Sequence, residues 1–413
     1  MINFNNYLTE AAGKNTHMTH IEDLILDGGV KGARQAILAL RSLRDMLSGN
    51  AKAPVDITVK WDGAPALFAG EDPSDGKFFV AKKGIFNKDA KVYKNHADID
   101  ADTSGDLNKK LKLAFDHLKD LGIKGVIQGD FMFDASDLKK ENINGVEHIS
   151  FHPNTIVYAV PTSMALAKEI MASKIGIVWH TTYSGSSFEN MTATFGKEIV
   201  SKLKPSKNVW MVDATLKDLS GKATLTSKQT EILNANLSAA GKTFQKIQSS
   251  ILKEIESNKE LNLVINVYNN LAVRKGERIK DTNNHAKGLI KFVEERYTKQ
   301  MDKLKSPAGK DKKAAERDKL LAFFSKSNLK GLKSMFDLQN FVVNAKLIII
   351  NKLNELSNIG TFVKTKSGFK VTGVEGFVAI DRLQGGAVKL VDRLEFSTNN
   401  FSKDIIKGWD NPG

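Results

Sequence analysis

The hydrophobic period of this chain changes twice along its length, and that change limits the fold more than any single motif. From about residue 54, short runs rich in β-branched and aromatic residues (VDITVKW, APALFAG, KFFVAKK) are separated by DG and EDPSDG turns, which is the pattern of strands. One amphipathic stretch follows, DLNKKLKLAFDHLKDLG, with Leu107, Leu111, Leu113 and Leu118 at helical spacing. KGVIQGDFMF, NTIVYAV and IGIVWHTTY then return to strand character. Between residues 221 and 357 the period becomes helical throughout, as in KQTEILNANLSAAGKTFQKIQSSILKEI and FDLQNFVVNAKLIIINKLNEL. After Gly360 strands resume in TFVKTKSGFKVTG, VEGFVAID and GGAVKLVDRLEFS.

A sheet that stops for helices and then resumes predicts one strand-rich domain carrying an insertion. The expected class is α+β with much antiparallel sheet. The expected divisions are an N-terminal helical segment at 1–50, a first core part at 51–220, a helical insertion at 221–357, and a second core part with a tail at 358–413. Within the first segment, VKGARQAILALRSLRDMLSG places Ile37, Leu38, Leu40, Leu43 and Met46 on one helical face, with Gly49 as a stop.

Charge is distributed unevenly over these divisions. Residues 221–357 hold 26 Lys and Arg against 14 Asp and Glu, so the insertion carries +12 of the net +14. Basicity confined to one helical module fits a clamp on phosphates, and it also fits a solvated lysine-rich face. SPAGKDKKAAERDK reads as a lysine-rich loop, and its Lys310, Lys312 and Lys313 are candidate nucleic-acid contacts. There is no cysteine, which excludes disulfides, zinc fingers and thiol catalysis. The start MINFNNYLTEAAGKN has no apolar signal core, and the strongly apolar run Leu347 to Ile350 is too short to span a bilayer. No membrane partner and a cytoplasmic location are expected.

VKWDGAPALFAG places a lysine at the end of a β-branched run, against Asp-Gly. Alone, this reads as a hairpin with a type I′ turn and an exposed lysine. Downstream lie AKKG (Ala81–Gly84), IQGDFMF (Ile127–Phe133), IVYAV (Ile156–Val160), EGFVAI (Glu375–Ile380) and AVKLVDR (Ala387–Arg393). In that order they resemble the covalent nucleotidyltransferase superfamily of ATP-dependent DNA ligases, RNA ligases and mRNA capping enzymes. The whole pattern also looks like uncharacterised proteins of tailed bacteriophages. The family's Lys-x-Asp-Gly falls on Lys60, Asp62 and Gly63, and its Gly-Glu strand falls loosely on Gly129 and Asp130. Its Glu-Gly-hydrophobic motif falls on Glu375, Gly376 and Phe377. Its Lys-x-Lys keeps only Lys389, with Val391 in the second lysine's place. The resemblance covers residues 55–160 and 362–397 and leaves out the insertion.

The resemblance implies an antiparallel-sheet adenylation core and a lysyl-AMP intermediate on Lys60. A lysine amine must be neutral to attack phosphorus, and nearby cations favour that form. Lys389 would neutralise the α-phosphate. Asp62, Gly63, Lys82, Lys83, Asp130, Tyr158, Glu375 and Arg393 would surround the nucleotide, with Tyr158, or Trp179 after it, stacking on the base. Asp130 and Glu375 would hold Mg2+ or Mn2+. The expected activity is ATP-dependent sealing of 5′-phosphate and 3′-hydroxyl ends, a DNA nick favoured over RNA ends, with no obligate protein partner; a phage-encoded member would act in the host bacterial cytoplasm. Plainer readings stand beside these: Asp130 as a strand-edge charge, Tyr158 as a core tyrosine, Arg393 as a surface charge. A non-catalytic nucleic-acid-binding protein with a decayed ligase core, or a phage structural or packaging-associated protein, are the other functional classes. GKAT at Gly221 and GKTF at Gly241 lack the first glycine of a P-loop, and His17-x-x-His20 has no further ligands behind it.

Overall fold

The structure is a computed structural model that describes residues 18–48, 55–216, 224–356, 358–381 and 387–410. Its first ten strands are Val55–Lys60 (β1), Ala66–Glu71 (β2), Phe78–Ala81 (β3), Val126–Asp134 (β4), Lys139–Ile143 (β5), Val146–Phe151 (β6), Val157–Pro161 (β7), Ile175–Ser184 (β8), Thr192–Phe195 (β9) and Val209–Asp213 (β10). Five more follow the helical block: Gly360–Thr365 (β11), Gly368–Val371 (β12), Gly376–Asp381 (β13), Ala387–Leu390 (β14) and Ile405–Ile406 (β15).

The strands form three sheets. β1, β13 and β14 make a small antiparallel sheet. A second sheet has the order β10-β8-β4-β2-β3, with β9 also on β8. The third has the order β12-β11-β7-β6-β5, with β15 also on β11. Pairing is antiparallel except for β10 on β8, which is parallel. Two pairings join the strands before the helical block to those after it: β1 with β13, and β7 with β11. The protein is thus a mixed α and β structure built mainly on antiparallel sheets.

The helices from Ser227 to Asn354 pack with the N-terminal helix Gly29–Leu47 in one hydrophobic cluster, which also takes Ile57, Phe377, Ala379 and Leu390 from the small sheet. The helix Lys326–Asn354 shows why: Leu332, Met335, Phe336, Gln339, Val342, Ala345, Ile349 and Leu353 are buried at three- and four-residue spacing. Separation in sequence between the N-terminal helices and the insertion is therefore not separation in space. They form one helical layer behind the sheet that carries Lys60. No helix among the described residues is long and apolar enough to cross a membrane.

Four local expectations change. β1 and β2 are not a hairpin, since they lie in different sheets. Residues 61–65 cross between sheets along β4, where Ala64 N–H donates to the Phe131 carbonyl (3.0 Å) and Phe131 N–H to the Pro65 carbonyl (3.0 Å). SPAGKDKKAAERDK is not a loop. Ser306 caps the helix Pro307–Leu321 by accepting from Gly309 N–H, and Pro307 opens the first turn. VDRLEFS leaves the sheet at Asp392, whose side chain accepts from Leu394 N–H (3.1 Å) and starts the helix Arg393–Phe401. The hairpin of β5 and β6, absent from the sequence reading, turns at Asn144 and Gly145, both at positive φ. GKTF at Gly241 lies inside the helix Ser227–Lys246. Gly49, His17 and the Gly221 end of GKAT lie outside the described residues.

Candidate active site

Strand alternation sets the site. Lys60 pairs with Gly376, and Val378 pairs with Lys389. Directly opposed residues share a face, so Lys60 and Lys389 project from the same side of the small sheet. Ile57, Phe377, Ala379 and Leu390 take the other side and bury against the helices. Glu375, one residue before β13, is therefore next to Lys60 and forms an ion pair with its Nζ. Gly376 is needed here. Its φ is +153°, and a Cβ would stand 2.7 Å from the Leu390 carbonyl oxygen and 2.6 Å from Val391 Cγ2. Lys389 is fixed from outside by the chain start: its N–H donates to the Thr19 carbonyl (3.0 Å), and its carbonyl accepts from Ile21 N–H (3.2 Å).

Asp130, on β4 of the neighbouring sheet, faces this pair. Its side chain is 19% exposed. Burial pushes its carboxyl up to about 7, with Glu375 and Asp62 adding to the rise and Lys60 and Lys83 opposing it. Glu375 is also raised, by burial before all, although Lys60 opposes the shift. Lys389 is lowered by burial first and then by Lys60 and Lys83. Two carboxylates and three lysines, from β1, β4, β14, the residue before β13 and the turn after β3, thus act on one another across a partly buried space. His180 on β8 lies beside them, its Nε2 3.9 Å from Asp130 Oδ2, and burial holds it down at about 4.

Asp62 does a different job from the one its motif suggests. It is 6% exposed. Its Oδ1 accepts from Asn154 Nδ2 (2.7 Å), and its Oδ2 accepts from the backbone N–H of Thr155 (2.7 Å) and Ile156 (2.9 Å). Its own N–H donates to the Tyr158 hydroxyl (2.7 Å). The aspartate does not close its own turn; it holds a loop more than ninety residues away. Gly63 lies against β4, where a Cβ would come 2.5 Å from Asp130 Cβ and 2.8 Å from Met132 Sδ. The close approach at this glycine is made by the protein's own strand.

Residues 15–405 match a family described as a family of unknown function (DUF6267). The chain belongs to that family. No curated protein and no solved structure matches it.

Several expected site residues of this DUF6267 member are committed elsewhere. Tyr158 is fully buried and stacks with Trp61 (centroids 5.0 Å apart) and Phe151 (5.5 Å), so its ring offers no open face to a base. Trp179 is buried in a separate core. Lys82 turns away to Asp102 (3.0 Å), which also binds Lys91 and the Tyr93 hydroxyl, whereas its neighbour Lys83 faces Asp130 and Lys389. Arg393 does not stand in for the missing lysine. Its guanidinium donates to Asp23 Oδ1 (2.9 Å) and to Asn270, fastening the last helix to the helical layer. Of the insertion lysines, Lys310 and Lys312 are exposed on the helix Pro307–Leu321, and Lys313 is half-buried against Glu316.

Among the described residues no group of three or more His, Cys, Asp or Glu side chains is arranged to hold a metal. Mg2+ is, however, often held by one or two carboxylates plus substrate phosphates. The Asp130 side chain receives no hydrogen bond among the described residues, and Glu375 adds to the rise of its carboxyl. The pair fits such an ion. Beside Glu375 a narrow cleft opens, lined by Asp62, Thr155, Glu375, Phe396, Asn399 and Asn400 among others. His180, the Asn154–Ile156 loop and Thr19–Ile21 are absent from the sequence reading. A histidine inside the apolar strand IGIVWHTTY was a visible signal; the backbone clamps left none.

Proposed function

We propose that the protein is an ATP-dependent polynucleotide ligase. The observation that carries the reading is the meeting of Lys60 with Glu375 and Lys389, residues more than three hundred positions apart, on one face of a sheet opposite Asp130. In the first step the Lys60 Nζ lone pair attacks the α-phosphorus of ATP. The bond to the bridging oxygen breaks, pyrophosphate leaves, and the amine loses its proton. Lys389 and Lys83 supply positive charge near the α-phosphate. When bound, Mg2+ or Mn2+ supplies charge that steadies the departing pyrophosphate, and Asp130 and Glu375 would hold it. In the second step a 5′-phosphate oxygen of a nucleic-acid end takes the AMP and Lys60 recovers its proton. In the third, a 3′-hydroxyl attacks that 5′-phosphorus and AMP leaves.

The substrate favoured is a nick in duplex DNA, since the basic helical layer lies directly behind the Lys60 sheet and is suited to gripping phosphates without reading sequence. RNA ends sealed by the same chemistry are the alternative. A tailed-bacteriophage protein working in the host cytoplasm belongs to the same reading. One observation favours a non-catalytic nucleic-acid binder instead: Val391, where a second lysine is expected, is buried against Gly376. Incubation with α-labelled ATP and Mg2+ separates the two. The expected result is a denaturation-resistant label on the protein that is lost in Lys60→Ala. No label from ATP, GTP or NAD would overturn the ligase reading. Offering the labelled protein nicked duplexes with DNA or RNA strands then identifies the substrate.

A further inference from the structure

Aromatic rings are almost everywhere inside this protein, with one local exception. Among the described residues the large hydrophobic side chains that stay exposed include three rings, and all three lie between residues 396 and 409. Phe396 is 36% exposed, Phe401 68% and Trp409 66%. They surround one loop. Thr155 Oγ1 donates to Asn400 Oδ1 (3.2 Å), beside Phe401, and Gly408 N–H donates to the Asn154 carbonyl (2.6 Å), beside Trp409. That loop is the one held by Asp62, and Phe396 lines the cleft shared with Glu375. The shelf therefore begins at the candidate site and leads away from it.

The chemistry around the rings is polar, with charges of both signs. Thr398, Lys403, Asp404 and Asp410 are exposed, and Asn399, Asn400 and Ser402 are half-exposed. β15 hydrogen-bonds the end of β11, which brings up the β11–β12 hairpin with exposed Lys366 and Lys370. Protein interfaces are depleted of lysine relative to the rest of the surface. Separate aromatic platforms among amides and lysines suit unpaired nucleotides, whose bases stack on the rings and whose phosphates meet the lysines.

We propose that Phe396, Phe401 and Trp409, with Lys366, Lys370 and Lys403, form a stacking surface for single-stranded nucleic acid next to the Lys60 site. If the ligase reading holds, this surface favours ends that carry unpaired nucleotides, as in the RNA-end alternative, over a fully paired nick; the surface itself is tested without it.

The four tryptophans make the test direct. Trp179 and Trp210 are buried and Trp61 is half-buried, so Trp409 dominates fluorescence changes caused by ligands at the surface. The full chain is titrated with an oligothymidylate of about 16 nucleotides. Saturable quenching that weakens with salt is expected. Fluorescence anisotropy of a dye-labelled oligonucleotide should show about five- to hundredfold weaker binding in Phe401→Ala and in Trp409→Ala. Phe401→Trp should restore binding, and the exposed control Val146→Ala should leave it unchanged. Unchanged affinity in both alanine variants, or no binding by the wild type, would refute the surface. So would a concentration-dependent dimer, seen by sedimentation, that Phe401→Ala abolishes, because a second copy would then cover the rings. The wild-type ATP-labelling experiment is scored separately: binding without label leaves the surface standing and removes the ligase reading.

Discussion

The cage around Asp62 yields the sharpest prediction, because it separates holding a loop from taking part in chemistry. In Asp62→Ala two buried donors, the N–H groups of Thr155 and Ile156, lose their acceptor. At about 2 kcal/mol for each unsatisfied buried donor, the loop loses about 4 kcal/mol of opening free energy. That corresponds to nearly a thousandfold faster amide exchange. Asp62→Asn should be much milder. Its remaining oxygen still accepts from both N–H groups, and the Asn154 amide turns to offer its own oxygen to the new NH2. What is lost is the charge on the bonds, about 1–2 kcal/mol in all, or about five- to thirtyfold in exchange. Hydrogen exchange read on a peptide spanning residues 152–158 measures all of this, with Lys60→Ala as a variant in which the loop stays protected. If Asp62→Ala changes exchange at Thr155 and Ile156 by less than about fivefold, the cage does not hold the loop and the assignment of Asp62 is wrong.

Other outcomes can be checked independently. Lys346 and Glu22 form a buried ion pair at 2.7 Å between the long helix and the chain start. Lys346→Met should cost about 3–5 kcal/mol in urea unfolding, and most of it should return in Lys346→Met/Glu22→Gln, which removes the stranded charge. His285 stacks on Tyr268 (4.3 Å), donates to Asn269 Oδ1 (2.9 Å), and is held down at about 4 by burial. The unfolded chain therefore takes that proton first, so its share of stability is complete above 6.5 and is lost as pH falls toward 4; His285→Gln should flatten denaturation midpoints across that window. Lys310→Glu/Lys312→Glu should weaken duplex binding and reduce the slope of log affinity against log salt, by about 0.9 for each phosphate no longer neutralised. Unchanged salt dependence would show that this helix does not touch the backbone.

The site was legible in the sequence where side chains and their spacing carry it. Glu375 stands out as a charge in an apolar run beside Gly376, and Lys60 as the charge that closes a β-branched run; the structure brings the two together. The interrupted sheet was readable because the hydrophobic period changes from strand to helix and back. Tyr158 takes the plainer of its two readings, a core tyrosine, and the role of Asp62 is hidden because local sequence shows a turn but not which distant N–H groups will need an acceptor. The lysine-rich stretch after Ser306 looked like a loop by composition, although Ser306 and Pro307 already encode a helix start. The Asn144-Gly145 turn carries a hairpin signal, but the strand before it, KKENI, shows no alternating apolar face. Arg393 was the least readable, since its partners Asp23 and Asn270 stand 370 and 123 residues away in sequence.

The pairing of β1 with β13 has a consequence for the making of the protein. Lys60 is synthesised more than three hundred residues before Gly376, the residue it pairs with. At about 5–20 residues per second, that leaves β1 without its neighbour for about 15–60 s on the ribosome. During that interval it offers an unpaired, β-branched edge, the kind of surface on which nascent chains associate. Its terminal lysine is one of the few charges there to discourage such contacts. The same delay means that a prematurely terminated chain ending inside the helical block has Lys60 but neither Glu375 nor Lys389. The strands that complete the site, β13 and β14, emerge only after the whole helical block.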